Sequence, residues 1–331
     1  MLGRSILLAV TAISLYLLTP AMVELFSSWP RLRELSWPAI GAMVLLKTLS
    51  FICLWQLTRI VLGVPRMRPV ALSHLAGNAF SRVVPGGAAT AGAIQVRMLR
   101  DAGVSAQRGI TGLTAANLLT FGTLLMLPVL AVPVLLTGVP VNDSLLSGLL
   151  IGGVALLVLF AVGAVLLIDD RPLRAIGRGV QRARNRLRPR HEPITGLDDE
   201  LVEERNLIRS MVGTRWKAAL LTSMGWWLFD YGVLLLALEA VGSDGRFSLV
   251  LIAYVSASLL GMVPLTPGGL GFVEVGLTGS LALAGVSPAD ALVATLAYRL
   301  INFWLPLPIG GAAYWLYRRE HPNGSRASGP S

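Results

Sequence analysis

Residues 247–284 read FSLVLIAYVSASLLGMVPLTPGGLGFVEVGLTGSLALA, and Glu274 is the one charged residue among them. Near their middle stands Thr266-Pro267-Gly268-Gly269. Proline ends an incoming helix, and paired glycines permit a tight reversal. Each arm then has about 14 to 18 residues, short of the ~20 apolar residues that a membrane span needs. Two full spans do not fit, whereas a re-entrant helical hairpin does. Irregular backbone at membrane depth is tolerated only where protein or a wet cavity surrounds it. The stretch 70–101 repeats the pattern around Val84-Pro85-Gly86-Gly87.

The rest of the chain supports a membrane setting. Of 331 residues, 54% are hydrophobic and only 14% are charged, with a mean hydropathy of +0.68. A soluble domain carries about 25% charged residues, so an ordinary globular enzyme is excluded. No charge occurs between Arg4 and Glu24, between Arg108 and Asp143, or between Arg246 and Glu274. Six segments read as full crossings: 5–26, 37–62, 105–136, 143–168, 216–242 and 287–319. The expected fold is an all-α polytopic membrane protein, with six transmembrane helices and two re-entrant helical hairpins. The apolar stretch from Ser5 to Val23 has no clear small-residue cleavage site and reads as a retained helix rather than a signal peptide.

An internal repeat organises these segments. At an offset of 182, Pro85-Gly86-Gly87 meets Pro267-Gly268-Gly269, and Ala102-Gly103-Val104-Ser105 meets Ala284-Gly285-Val286-Ser287. Ala115 and Phe121 meet Ala297 and Phe303 in the same register. The halves run over 1–142 and 143–319, the second containing a basic cytoplasmic loop at 169–215, and 320–331 reads as a disordered tail. Three crossings per half make the second half inverted. That is the transporter pattern, with a site expected near the midplane where the repeats meet.

The net charge of +10 could suggest nucleic acid, but twelve of the 28 Lys/Arg fall between Arg171 and Lys217, in one loop between apolar segments. Basic loops beside membrane helices report topology. Both termini are expected in the cytoplasm. Inside segments then carry Arg4, Arg66, Arg68, Arg97, Arg100, Arg108, the loop, Arg318 and Arg319. Within the loop, Arg171, Arg174, Arg178 and Arg182 recur at helical spacing with Leu173, Ile176, Val180 and Leu187 between them. This suits either a helix lying on anionic lipid or a segment that only sets topology. Residues 191–206 read as solvated. Cys53 is the lone cysteine, and His74, His191 and His321 lie far apart. Neither a disulfide within the chain nor a metal is expected, and no cofactor is implied.

Charges inside spans cost about 2.5–3.5 kcal/mol each at a helix centre and normally find a partner in the bundle interior. Lys47 and Asp230 lie near the middles of their helices; at the 182 offset Asp230 matches Thr48, beside Lys47. Symmetry can bring them together, as a structural ion pair or as part of a transport path. Glu274 and Arg299 match the neutral Gly92 and Asn117. Such an asymmetric pair suggests a gate or a headgroup contact, with Asn302 sharing the face of Arg299. Asn78 and Arg82 precede the first turn and Arg97 follows it. Arg82 can bind a phosphate or reach to the cytoplasmic face. Gly86, Gly87, Gly268 and Gly269 place half-helix N-termini inside the protein, where an anion is favoured; making the turn is explanation enough for them too.

Thr266-Pro267-Gly268-Gly269-Leu270-Gly271-Phe272-Val273-Glu274, followed by Gly285-Val286-Ser287 and Arg299, resembles the transmembrane region of the lysylphosphatidylglycerol synthases, a flippase-like domain. The first half is similar through Asn78, the Pro85 turn and Gly103-Val104-Ser105, so the likeness covers about 1–319. Many relatives carry Gly-Glu and basic residues after the first turn. Here Ala88 to Ala93 are small and uncharged, so headgroup contacts on that side are expected to differ. The full-length synthases also carry a soluble aminoacyl-transfer domain; the chain ends at Ser331, and lipid aminoacylation is not expected.

The resemblance implies lipid translocation in a bacterial cytoplasmic membrane. The leading expectation is a flippase or scramblase for an anionic phospholipid or polyprenyl-phosphate lipid. No G-x-x-x-x-G-K-[ST] pattern occurs, so ATP hydrolysis is not expected. The alternatives are a small-solute transporter on the same scaffold, or a non-transporting partner of an envelope-synthesis enzyme. An intramembrane enzyme fits least, because the spans hold no Ser/His, HExxH or paired-carboxylate arrangement.

Overall fold

The computed structural model describes residues 35–83, 87–131, 168–187, 195–243, 247–262 and 267–321, together with residue 193 and a few positions between 158 and 166. The crossing expected at 5–26, most of that at 143–168, Pro85, Gly86 and the tail beyond His321 lie outside the described residues. Every regular element described is helical.

Helix α1 spans Trp37–Leu62, the bounds expected from hydropathy. Pro38 sits in its first turn, where the missing N–H costs nothing, and Gly63 ends it at φ 62°. Helices α2 (Met67–Val83) and α3 (Gly87–Asp101) pack against each other. Helix α4 (Ala106–Met126) follows and tightens into a 3₁₀ turn at Leu127–Ala131. In the 135–216 unit, α5 (Asp170–Leu187) packs on α6 (Leu197–Val212). The chain continues with α7 (Trp216–Ala240), then α8 (Phe247–Met262) packed on α9 (Phe272–Leu283). Helix α10 (Pro288–Arg299) passes through a π turn at Leu300–Trp304 into α11 (Pro306–Glu320). The expected crossing at 287–319 is therefore one helical run with a defect at its middle.

Four of the described helical runs are long and apolar enough to cross a membrane: Trp37–Leu62, Ala106–Val129, Leu197–Ala240 and Pro288–Glu320. The paired helices α2, α3, α8 and α9 have 17, 15, 16 and 12 residues. At about 1.5 Å per residue they reach roughly 18–26 Å, less than the ~30 Å hydrocarbon core. The distribution of side chains is the reverse of a soluble fold. Lys47, Asp230, Glu274 and Arg299 are buried, while Leu221, Val275 and Leu283 are 70–75% exposed. Charged groups go inside only when paired, and such a charged interior beneath an apolar exterior suits a bundle whose solvent is lipid. The chain is a multi-pass all-α membrane protein.

The repeat is visible in the hydrogen bonds. Gly103 and Gly285 both turn left-handed, at φ 92° and 94°. Val104 N–H donates to Leu99 O, and Val286 N–H to Leu281 O. Ser105 and Ser287 then cap α4 and α10 by accepting from Arg108 N–H and Asp290 N–H. All these matches keep the offset of 182. Upstream of the turns the register changes. Helices α1 and α7 begin at Trp37 and Trp216, and their terminating glycines are Gly63 and Gly242, an offset of 179. The second half has three extra residues before its Pro-Gly-Gly, with Val263-Pro264-Leu265-Thr266 where the first half has Val84. Asp230 thus corresponds to Phe51 rather than Thr48, and Lys47 to Trp226.

The expectation that 191–206 is simply solvated is also corrected. Asp198 and Asp199 open α6 and meet Arg178 and Arg174 of α5, at 4.0 and 3.2 Å. Gly177 makes this packing possible, because a Cβ there would lie 2.6 Å from Asp198 Cα. Arg205 of α6 is buried against Asp170.

Elsewhere, Gly310 of α11 sits against the backbone of α2, and an added Cβ would stand 2.2 Å from Leu75 O. Gly310→Ala is expected to force α2 and α11 apart and cost about 1–3 kcal/mol. A fall in the thermal midpoint of the purified protein reads this out; an unchanged midpoint would contradict the close packing.

Candidate functional site

Two buried ion pairs lie in the bundle interior, the first joining distant parts of the chain. Lys47 Nζ on α1 donates to Asp230 Oδ1 on α7 at 2.6 Å and to Asn302 Oδ1 at 2.9 Å. It also lies 4.8 Å from the ring centroids of both Phe51 and Trp226. The repeat equivalents Lys47 and Trp226 therefore meet here. Asp230 Oδ2 accepts from Tyr254 OH at 2.8 Å, Tyr298 OH at 2.7 Å and Asn302 Nδ2 at 3.3 Å. A carboxylate has about four acceptor sites, and this one uses four donors. A buried charge so fully satisfied holds α1, α7, α8 and α10 at one point.

The second pair is local to the Gly-rich turn. Arg299 Nε donates to Glu274 Oε1 at 2.6 Å, and Arg299 Nη2 to Gly268 O at 3.3 Å. Glu274 Oε2 accepts the Gly271 N–H at 2.8 Å. That contact is half of a capping box, which satisfies a free N–H at the start of α9. Gly268, Gly269 and Gly271 all have positive φ, from 61° to 80°, which explains the glycines at this turn. A Cβ on Gly268 would also meet Phe303 Cε2 at 2.3 Å.

Arg82 joins the pairs from the end of α2. Its Nη1 donates to Asn302 O at 2.6 Å and Phe303 O at 2.7 Å. The Asn302 carbonyl is available because Pro306 has no N–H to give it, and the π turn shifts the ladder here so that Leu305 N–H goes to Leu300 O. Arg82 and Arg299 both approach the Phe303 ring, their guanidinium carbons 4.9 and 4.5 Å from its centroid. Hydropathy alone gave no sign of this clamp. The prolines inside an otherwise continuous span are the signal that could have found it.

Of the residues singled out in the sequence, Lys47, Asp230, Asn302, Arg82, Arg299, Glu274 and Gly268 are thus linked by hydrogen bonds and ring contacts. Asn78 lies one turn before Arg82 on α2, and its side-chain oxygen is buried with no partner among the described residues. Gly87 begins α3, where a Cβ would strike Ser81 O at 2.3 Å, so its role there is close packing. Gly269 is packed likewise against Val273 and Gly261. Arg97 is ten residues along α3 from Gly87, about 15 Å at the helical rise, and lines a groove between α3 and α4. His74, set aside as a ligand, pairs with Thr58 Oγ1 at 2.9 Å.

A membrane bundle with short paired helices, glycine turns and a charged interior defines a narrow class. The family model of the lysylphosphatidylglycerol synthase TM region matches residues 5–310, and the chain belongs to that family. A UPF0104 membrane protein of Methanothermobacter thermautotrophicus is 37% identical over 87 residues, 26% of each chain. Another match of that description from the same organism is 31% identical over 121 residues, 34% of this chain and 36% of the relative. A UPF0104 membrane protein of Pyrococcus horikoshii is 33% identical over 72 residues, 22% of each. In these matches the chain spans about a fifth to a third of the relatives' length.

Proposed function

We propose that the chain is an ATP-independent flippase or scramblase for an anionic lipid, acting in a bacterial cytoplasmic membrane with both termini in the cytoplasm. The two short helix pairs are its re-entrant hairpins, inverted relative to each other. The observation that carries this reading is the charge count of the interior. Among the described residues, Lys47, Arg82 and Arg299 face two carboxylates, Asp230 and Glu274. Among the described residues Arg82 has no carboxylate within ion-pair distance; neutral carbonyls and an aromatic face hold it instead. A phosphate monoanion supplies the missing charge, and a guanidinium offers it paired donors.

Arg82 and Arg299 receive the phosphate beside Phe303. Arg299 exchanges Glu274 for the lipid, while Glu274 keeps the Gly271 N–H and α9 remains capped. The unpartnered oxygen of Asn78 accepts from a headgroup hydroxyl. The repeats then rock around the bound phosphate, and the lipid tails remain in the membrane.

The test is translocation of fluorescent phosphatidylglycerol, a neutral lipid and a polyprenyl phosphate in proteoliposomes. Arg82→Gln and Arg299→Ala are expected to slow anionic-lipid transfer about tenfold or more, the loss of one charge-assisted contact. Arg318→Gln, at the end of α11, is expected to transfer at the parental rate. Folded Arg82→Gln protein moving lipid at the parental rate would overturn the assignment, as would a folded parent that moves none.

A further inference from the structure

The groove between α3 and α4 has a volume of about 620 Å³ and is lined on one side by Ala89, Gly92, Ala93, Arg97 and Arg100. Across it stand Ala106, Ile110, Thr114 and Asn117. The two helices are joined at the Gly103 turn, so Arg97 and Arg100 mark one end and Asn117 the other. Eleven residues separate the ends on each helix, about 17 Å of rise. That is close to half of the ~30 Å hydrocarbon core, the depth of one leaflet.

The repeat explains why the groove is open. Gly92 and Asn117 stand at the positions that hold Glu274 and Arg299 in the second half. There the ion pair bridges α9 and α10 at 2.6 Å; here a hydrogen atom and a short amide leave the space clear. A Cβ added to Gly92 would meet no atom within 4 Å. The volume lies within the ~300–1,000 Å³ of sites that enclose a small amphiphile.

We infer that this groove is a binding site for one membrane phospholipid, with its phosphate at Arg97 and Arg100 and one acyl chain along the small residues toward Asn117. Charge complementarity selects the headgroup end, and the apolar wall of Ile110 and Leu113 takes the chain. The site is distinct from the Arg82–Arg299 cluster and does not depend on the translocation reading.

Photolabelling tests it. The full chain in nanodiscs is irradiated with phosphatidylglycerol carrying a diazirine on its acyl chain, and the labelled peptides are mapped by mass spectrometry. Label is expected on residues 89–117. Gly92→Leu fills the groove with a better helix former, so a folding defect is not its expected consequence. It should lower that label about fivefold or more, and the double variant Arg97→Gln/Arg100→Gln about threefold, both modest shifts in binding free energy. Excess inorganic phosphate should leave the label in place, because the chain anchors the lipid. Arg299→Ala should also leave it, even where translocation is lost. The site is refuted by equal labelling of Gly92→Leu, by labelling no stronger than on the exposed face around Leu221, by equal labelling with a phosphate-free diacylglycerol probe, or by displacement with phosphate.

Discussion

Asp230→Ala is expected to destabilise the folded protein by about 3–5 kcal/mol, the cost of leaving a buried charge without its partner. The loss reaches beyond one ion pair. Lys47 would keep only Asn302 and two aromatic faces, and the hydroxyls of Tyr254 and Tyr298 would lose their acceptor. Each belongs to a buried side chain. The reading is the rate at which the lone Cys53 on α1 reacts with a thiol dye during heating, with the parent as reference. Asp230→Asn keeps an acceptor for the tyrosines and is expected to fall between the two. A parental melting profile for Asp230→Ala would show that the four contacts are incidental.

Glu274→Ala should be the second most damaging change, again by about 3–5 kcal/mol. It strands Arg299 in the interior and removes the cap from the Gly271 N–H at the start of α9. The double variant Glu274→Gln/Arg299→Gln carries no buried charge at this point and still offers an acceptor to Gly271. It is expected to recover more than half of the lost stability while anionic-lipid transfer stays about tenfold or more below the parental rate. That divergence separates a structural role from a functional one. If the double variant regained transfer together with stability, the pair would serve the fold alone.

Much of the architecture was legible from the sequence because membrane helices are set by hydropathy and ended by glycine. Trp37–Leu62 and Trp216–Ala240 emerge with the expected bounds or within two residues of them. The break at Gly268 and Gly269 was legible because proline and paired glycines leave the backbone few alternatives. The register of Lys47 and Asp230 was misjudged, although the two meet, because an ungapped offset cannot reveal three residues inserted before the second turn. The α5–α6 pair escaped notice for a different reason. A run of charges looks solvated whether or not an opposite run folds back on it, and only Gly177 hinted at a close approach. Arg82 was left open between a phosphate ligand and a cation reaching the cytoplasmic face, because its partners are backbone carbonyls that no side-chain pattern reports.

The division of the long helices has a mechanical consequence. Helix α10 packs on α9 within its own half, whereas α11 packs most extensively on α2 of the other half. The first half does the same: α4 packs on α3, while its continuation at Leu127–Ala131 packs on α8. Each sequence repeat thus lends its far end to its counterpart, in a reciprocal clasp. The packing units are therefore not the two halves of the chain but two composites, each built from both, and rocking of one repeat against the other has to carry or break these exchanged contacts. The π turn with its prolines lies at one crossing point, and Arg82 fastens it. Splitting the chain into separately expressed halves would cut through both composites, so neither half carries a complete packing unit.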